Sequence, residues 1–121
     1  MPTPNMFIVY VTDAPASARF YSDLFDMAPQ FESPRFVTFE LSGGVDLALW
    51  SGHADQLEHA GARTAEVCLN LPGDPAAIDR QFEQWLARGV TVVQEPHDAV
   101  FGRTFVVEDP DGILIRVAPI D

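Results

Sequence analysis

The stretch Met6-Phe7-Ile8-Val9-Tyr10-Val11-Thr12-Asp13-Ala14-Pro15 passes from an apolar, β-branched run directly into a helix-start signal. Branched and aromatic side chains fit a pleated surface, so its first half predicts a strand. Thr12-Asp13-Ala14-Pro15 then supplies a capping side chain and an early proline, the signature of a helix N-terminus. The helix runs to Leu24 or Phe25, because Phe20 and Leu24, and Tyr21 and Phe25, each stand four apart and make one apolar face. Ser17, Arg19, Ser22 and Asp23 are left for water. Residues 30–32, 35–41 and 45–50 read as strands, separated by Ser33-Pro34 and Ser42-Gly43-Gly44. Those separators suit turns, and the last two strands are expected to form a hairpin.

The same order returns in the second half. Residues 65–71 (AEVCLNL) read as a strand, and Gly73-Asp74-Pro75 gives an N-cap with proline at the first helical position. Ile78, Phe82, Trp85 and Leu86 fall at i, i+4, i+7 and i+8, which puts Trp85 on the apolar face as core. Gly89 ends this helix after Arg88. Residues 90–93, 103–108 and 113–118 complete the set, with Asp109-Pro110-Asp111-Gly112 as a turn between the last two. The order is β-α-β-β-β twice, and an internal duplication accounts for it. The expected fold is α+β, one domain over 1–121, with modules at about 5–52 and 64–119 and a linker at 53–63.

The chain has 121 residues and is 47% hydrophobic, enough for one domain with a real core. Eighteen acidic against seven basic side chains give a formal charge of -11, spread along the chain without a run of like charges. Nucleic-acid binding depends on lysine and arginine displacing counterions, so DNA and RNA are not expected partners. A neutral or cationic small molecule is easier to accommodate. The N-terminus lacks a basic and apolar leader pattern and no window approaches a bilayer span, so a cytoplasmic protein without membrane contact is expected. The one cysteine, Cys68, has no partner for an internal disulfide and reads as a small buried hydrophobe.

Several strings in fixed order carry a resemblance. They are Val11-Thr12-Asp13 followed by Arg19-Phe20-Tyr21, and Phe101-Gly102-Arg103-Thr104 followed by Glu108-Asp109-Pro110-Asp111-Gly112. With the doubled β-α-β-β-β order they resemble the vicinal oxygen chelate superfamily, which includes glyoxalase, bleomycin resistance proteins and extradiol dioxygenases. The resemblance covers almost the whole chain and implies curved mixed sheets around a cleft. Metalloenzymes of that superfamily place one metal ligand on each of four strands. Those positions fall here on Met6, Ala48, Glu66 and Arg116, of which only Glu66 is a ligand for a divalent ion. No metal or other cofactor is therefore expected. The alternative is a divergent glyoxalase- or dioxygenase-like metalloenzyme working through Glu66.

Pro34-Arg35-Phe36-Val37, Trp50-Ser51-Gly52, Val100 to Phe105 and Ile115-Arg116-Val117 resemble more narrowly the drug-binding resistance members of the superfamily. Those members imply a homodimer that sequesters a planar aromatic, DNA-intercalating drug with a phenazine-like or quinoline-type chromophore. Strand alternation fits a slot for such a ligand. If Phe7, Val9 and Val11 face the helix, then Met6, Ile8 and Tyr10 face away. The same rule turns Asp46, Ala48 and Trp50 to that side, and Glu66, Cys68, Asn70, Leu114, Arg116 and Ala118 in the second module. Few polar groups on apolar walls describe a small-molecule site. Trp50 is the expected stacking platform, or else interface or core packing, and a small Ala48 leaves space beside it. Tyr10, Ser51, the Gly52 amide, Arg35, Arg103 and Arg116 are the candidate donors, and Ile8 lines the slot. Arg35 has a second reading as a solvated edge residue. Glu66 and Arg116 either pair across the cleft or contact ligand. Phe101 and Gly102 form a loop at its mouth or a hairpin corner. His53, His59 and His97 match no ligand spacing and are given loop roles, with a proton-carrying role as the alternative.

Overall fold

The computed structural model describes residues 3–52 and 65–120, which fall into two compact units. The first unit holds β1 (Met6–Tyr10), α1 (Ala14–Phe25), β2 (Phe31–Glu32), β3 (Phe36–Glu40) and β4 (Asp46–Trp50). The second holds β5 (Glu66–Leu71), α2 (Pro75–Ala87), β6 (Thr91–Ala99), β7 (Gly102–Glu108) and β8 (Leu114–Pro119). Each is therefore β-α-β-β-β, the order that the sequence predicts. The sheets are ordered β1-β4-β3-β2 and β5-β8-β7-β6, so first and last strands pair in both. That pairing is parallel and all others are antiparallel, giving two four-stranded mixed sheets. The same topology twice is what a duplicated module leaves behind. His53 and His59 lie outside the described residues.

Local chemistry sets the helix ends. The Ala16 N–H donates to Asp13 Oδ1 at 3.0 Å, the capping bond that orphan donors at a helix start require. At the other end Asp26 adopts φ 55°, and the Met27 N–H reaches the Ser22 carbonyl at 3.2 Å. In α2, Pro75 occupies the first turn, while the Asp74 side chain makes no capping bond. Gly89, at φ 83°, lets its own N–H reach Leu86 O and the Val90 N–H reach Trp85 O, which satisfies two last-turn carbonyls.

The core of each unit lies between its helix and one sheet face. In the first, Ala14, Ser17, Ala18, Tyr21 and Leu24 pack with Val37, Phe39, Leu47 and Leu49, all buried. Ser17 thus departs from the expected polar face. It belongs to the same stripe as Tyr21 and Leu24 at helical spacing, and its small side chain fits beneath the sheet. In the second unit Ile78, Phe82 and Trp85 meet Phe105, Val107, Ile115 and Val117. Trp85 and Phe82 each stand edge-on to Phe105, with centroids 5.7 and 5.2 Å away. Leu86 is exposed, so the buried stripe of α2 is one residue narrower than its spacing predicts.

Two further differences are local. Residues 90–93 were expected as a short strand, yet β6 runs nine residues and carries Pro96 and His97 inside it. The register slips between Val92 and Gln94 and again between Gln94 and His97. Proline has no ladder donor and is tolerated because β6 is the outer strand of its sheet, where a bulge absorbs the misfit. Between β6 and β7, Ala99 pairs with Gly102, leaving Val100 and Phe101 as a two-residue corner. The hairpin reading of Phe101-Gly102 is the one realised. Gly102 sits at φ 126°, and a Cβ there would lie 2.8 Å from Pro119 Cγ. Only glycine meets both conditions.

Candidate functional site

Register decides which side chains share a face. In the first unit Tyr10 pairs with Trp50 and Trp50 with Phe36, so all three point away from α1. Phe31 pairs with Thr38 on the same side. One aromatic side chain from each of the four strands therefore stands on this face. Tyr10 meets Trp50 edge-on, centroids 5.7 Å apart at 72°, and Phe31 lies 6.5 Å from Phe36. Tyr10 and Phe31 are exposed, and Trp50 and Phe36 half-buried. Met6 and Ile8 extend the face with exposed apolar surface.

Phe31 and Phe36 were missed in the sequence. The signal was available, because a β3–β4 hairpin with Trp50 on one face puts its cross-strand neighbour on that face too. Ala48 shares the face through its pairing with Ile8, but it is fully buried. The space expected beside Trp50 is closed, and Ala48 forms the floor of the aromatic row. Gly52 lies against the indole so closely that a methyl group there would overlap its Nε1 edge.

A cavity of about 420 Å³ opens beside this row, at the carboxyl ends of the parallel strands β1 and β4. Its walls come from Thr12, Asp13 and Pro15 after β1, Pro34 and Arg35 before β3, and Ser51 and Gly52 after β4. The Ser51 N–H donates to the Arg35 carbonyl at 2.9 Å and closes that corner. Ser51, Gly52 and Arg35 are thus brought together on one cavity wall.

The corresponding face of the second unit differs in kind. Cys68 pairs with Arg116, and Arg116 with Val106, so Glu66, Cys68, Asn70, Thr104 and Arg116 share the side away from α2. Arg116 Nε donates to Glu66 Oε1 at 2.7 Å, and Nη1 donates to Thr104 Oγ1 at 3.2 Å. The Thr104 hydroxyl donates in turn to Val117 O at 2.7 Å. The Phe101 ring lies 5.8 Å from the guanidinium carbon, within cation–π range. Three groups, Glu66, Thr104 and Phe101, hold Arg116 in one orientation. The Glu66–Arg116 pair therefore runs along one sheet between neighbouring strands, not across two sheets as expected. Thr104, fully buried, is the residue that sequence reasoning overlooked.

Cys68 is exposed on this face, which corrects its reading as a buried hydrophobe. Its thiol donates to Asn70 Oδ1 at 3.3 Å. Partial desolvation pushes its pKa up, Glu66 adds to the rise and Arg116 opposes it. The group is a thiol, not a thiolate, near neutrality.

Arg103 stands apart from the other candidates. It pairs with Asp98 in register beside Phe105 and Val107, on the side that faces α2. Its Nε donates to Asp79 of α2 at 3.0 Å and its Nη1 to Asp98 at 3.3 Å. The Asp79 hydrogen bond raises its pKa, against a smaller desolvation effect. Arg103 ties helix to sheet and leaves the ligand-facing set. Alternation from Phe105 and Val107 already placed it there. His97 Nδ1 lies 2.8 Å from Glu95 O within β6.

The four superfamily metal positions carry a thioether, a methyl group, a carboxylate and a guanidinium. Glu66 already meets Arg116, and no group of three or more His, Cys, Asp or Glu among the described residues is placed to hold an ion. This donor set does not fit a divalent metal. Among the described residues no helix is long and apolar enough to cross a membrane.

The chain belongs to the Glyoxalase/Bleomycin resistance protein/Dioxygenase superfamily, which its sequence matches over residues 3–117. Among particular relatives, it is 38% identical over 122 residues to the phenazine antibiotic resistance protein EhpR of Enterobacter agglomerans, covering 98% of this chain and 93% of that one. The solution structure of protein ATC0852 from Agrobacterium tumefaciens shares 35% identity and superposes with a TM-score of 0.80, covering 100% and 99% of the two chains. A glyoxalase/bleomycin resistance protein/dioxygenase from Nocardioides is 25% identical with a TM-score of 0.73, over 100% of this chain and 85% of that one.

Proposed function

We propose that this chain is a resistance protein that binds and sequesters a planar aromatic antibiotic, phenazine-like or quinoline-type in its chromophore, without altering it. The observation that carries the reading is the row Tyr10, Trp50, Phe36 and Phe31, one aromatic side chain per strand on a single sheet face. A flat apolar ligand matches such a row in shape and in electrostatics, since offset and edge-on ring contacts each add about 0.5–1.5 kcal/mol beyond burial. The likeness to EhpR, whose name gives phenazine resistance, points to the same class of ligand.

Covering roughly 200 Å² of apolar ligand surface at about 25 cal/mol per Å² yields on the order of 5 kcal/mol before association costs. Micromolar affinity requires about 8 kcal/mol net, so directed polar contacts are needed as well. Ser51, the Gly52 amide and Arg35 supply them beside the row. A homodimer is part of the proposal, and a monomeric mass by sedimentation at micromolar concentration would remove it.

The test is calorimetric titration with phenazine and quinoline chromophores. Micromolar binding is expected, weakened at least about tenfold, or roughly 1.4 kcal/mol, in Trp50→Ala and largely kept in Trp50→Phe. Unchanged affinity in Trp50→Ala would sink the stacking role.

A further inference from the structure

We propose that the end of the β6–β7 hairpin, residues 97–101, is a flap: closed, it covers the Arg116 guanidinium, and it opens as a unit about the irregular middle of β6. The second unit supplies a hinge, a latch and a group to cover. The hinge lies between Gln94 and His97, where the register with β7 slips and Pro96 brings no ladder donor. The His97 ring turns back on its own strand there, with Nδ1 2.8 Å from Glu95 O. Beyond the break, His97, Asp98 and Ala99 pair regularly with Thr104, Arg103 and Gly102. β6 is the outer strand, so within the sheet only β7 adjoins this segment. The moving part ends at Phe101, because Gly102 lies so close to the Pro119 ring that a Cβ would stand 2.8 Å from it. Val100, at the corner, is fully exposed and adds no packing that opposes the motion.

The latch is Arg103. Its Nε donates to Asp79 of α2 at 3.0 Å and its Nη1 to Asp98 at 3.3 Å, so one side chain ties the flap to the helix. The Asp98 side chain is 84% exposed, against 49% for Asp79, which makes the bond to the flap the weaker of the two. An exposed ion pair shifts an equilibrium by only about two- to fivefold and is screened by salt. Local opening held by such a bond lies well below global unfolding in free energy.

The covered group is on the opposite face. The Phe101 ring lies 5.8 Å from the guanidinium carbon of Arg116, whose side chain is 23% exposed. Arg116 is held independently through Nε by Glu66 and through Nη1 by Thr104, and neither partner belongs to residues 97–101. When the flap lifts, the guanidinium therefore keeps its place and loses only its aromatic cover. The open state presents a fixed cation to solutes, and the closed state withholds it.

Amide hydrogen exchange of the whole chain, read residue by residue, tests the motion. Phenylglyoxal, which modifies accessible guanidinium groups, tests the cover, with the labelled site located by peptide mass mapping. The protected amides among residues 97–99 are expected to share one opening, separate from that of Thr91 and Val92. Arg103→Gln should favour that opening about two- to fivefold and raise Arg116 labelling in step, leaving Thr91, Val92 and the amides of α2 unchanged. Arg19→Gln, which removes the same charge from an exposed position on α1 in the first unit, should change neither. Raising the salt concentration should reproduce the Arg103→Gln effect in the unmodified protein, which keeps the test open if that variant fails to fold. Phe101→Ala should make Arg116 label faster still. Exchange that speeds up uniformly through the second unit would make the motion global unfolding and overturn the flap. Arg116 labelling that does not follow the opening of residues 97–99 would show that the hairpin end covers nothing, and would overturn it too.

Discussion

The two halves of the molecule share one topology and have diverged on one face. In the first unit the side away from the helix is aromatic, with Tyr10, Trp50, Phe36 and Phe31 in a row. In the second, the positions paired in the same parallel manner carry Glu66, Cys68, Asn70 and Arg116. The faces toward the helices stayed alike, both filled by branched and aromatic side chains. Packing against a helix holds a sheet face to a narrow chemistry, whereas the opposite face is free to be rewritten. The contrast extends to the hairpins. The β2–β3 ladder is two residues deep, while β6 and β7 are nine and seven residues long, bulged, and turned at Gly102.

The largest expected effect sets one glycine of each unit against the other. Gly102→Ala should cost about 1–3 kcal/mol of stability, read by denaturant unfolding, because the left-handed backbone and the Pro119 ring both resist a Cβ. Gly52→Ala should stay within about 1 kcal/mol, since a side chain can swing away. It should nevertheless weaken aromatic ligands about tenfold, by displacing the indole. The reverse ranking would show that the aromatic row is structural.

Next comes Thr104→Val, which removes the hydroxyl's bond to the buried Val117 carbonyl and frees one side of Arg116. A loss of about 1–2 kcal/mol is expected by thermal unfolding. The smallest effects belong to the exposed part of that face. Glu66→Gln should change stability by less than about 1 kcal/mol, because the pair is open to solvent at 36% and 23%. The raised Cys68 pKa makes its contribution full below the ordinary thiol range and lost as pH rises through it. Disulfide-reagent labelling should accordingly be slow at neutral pH and accelerate above that range.

Most of the architecture was legible because its signals are local. The run from Met6 to Pro15 and its counterpart from Glu66 to Pro75 each place a strand, a cap and a proline within a dozen residues. The face assignment of Tyr10, Ala48 and Trp50 followed from alternation alone and agrees with the register. What failed depended on neighbours distant in sequence. The length of β6 turns on its being outermost, which excuses Pro96 and which no local window reveals. Ala48 looked like open space because a small side chain says nothing about what lies over it. Arg103 was placed among ligand donors on motif resemblance, although its even spacing of two and four residues from Phe105 and Val107 argued for the helix side. Ser17 was left for water because a small hydroxyl side chain reads as polar, and Thr104 was passed over although internal hydrogen bonds let it be buried.

Pro96 has a consequence for the company this protein keeps with its own copies. An outer strand of nine residues with an even row of free N–H and C=O groups is a template on which another chain can polymerise. β6 offers no such row, since one donor is missing at Pro96 and two register slips break its rhythm. The irregular margin of the second sheet thus discourages edge-to-edge pairing between copies of the chain, at the cost of a poorer ladder.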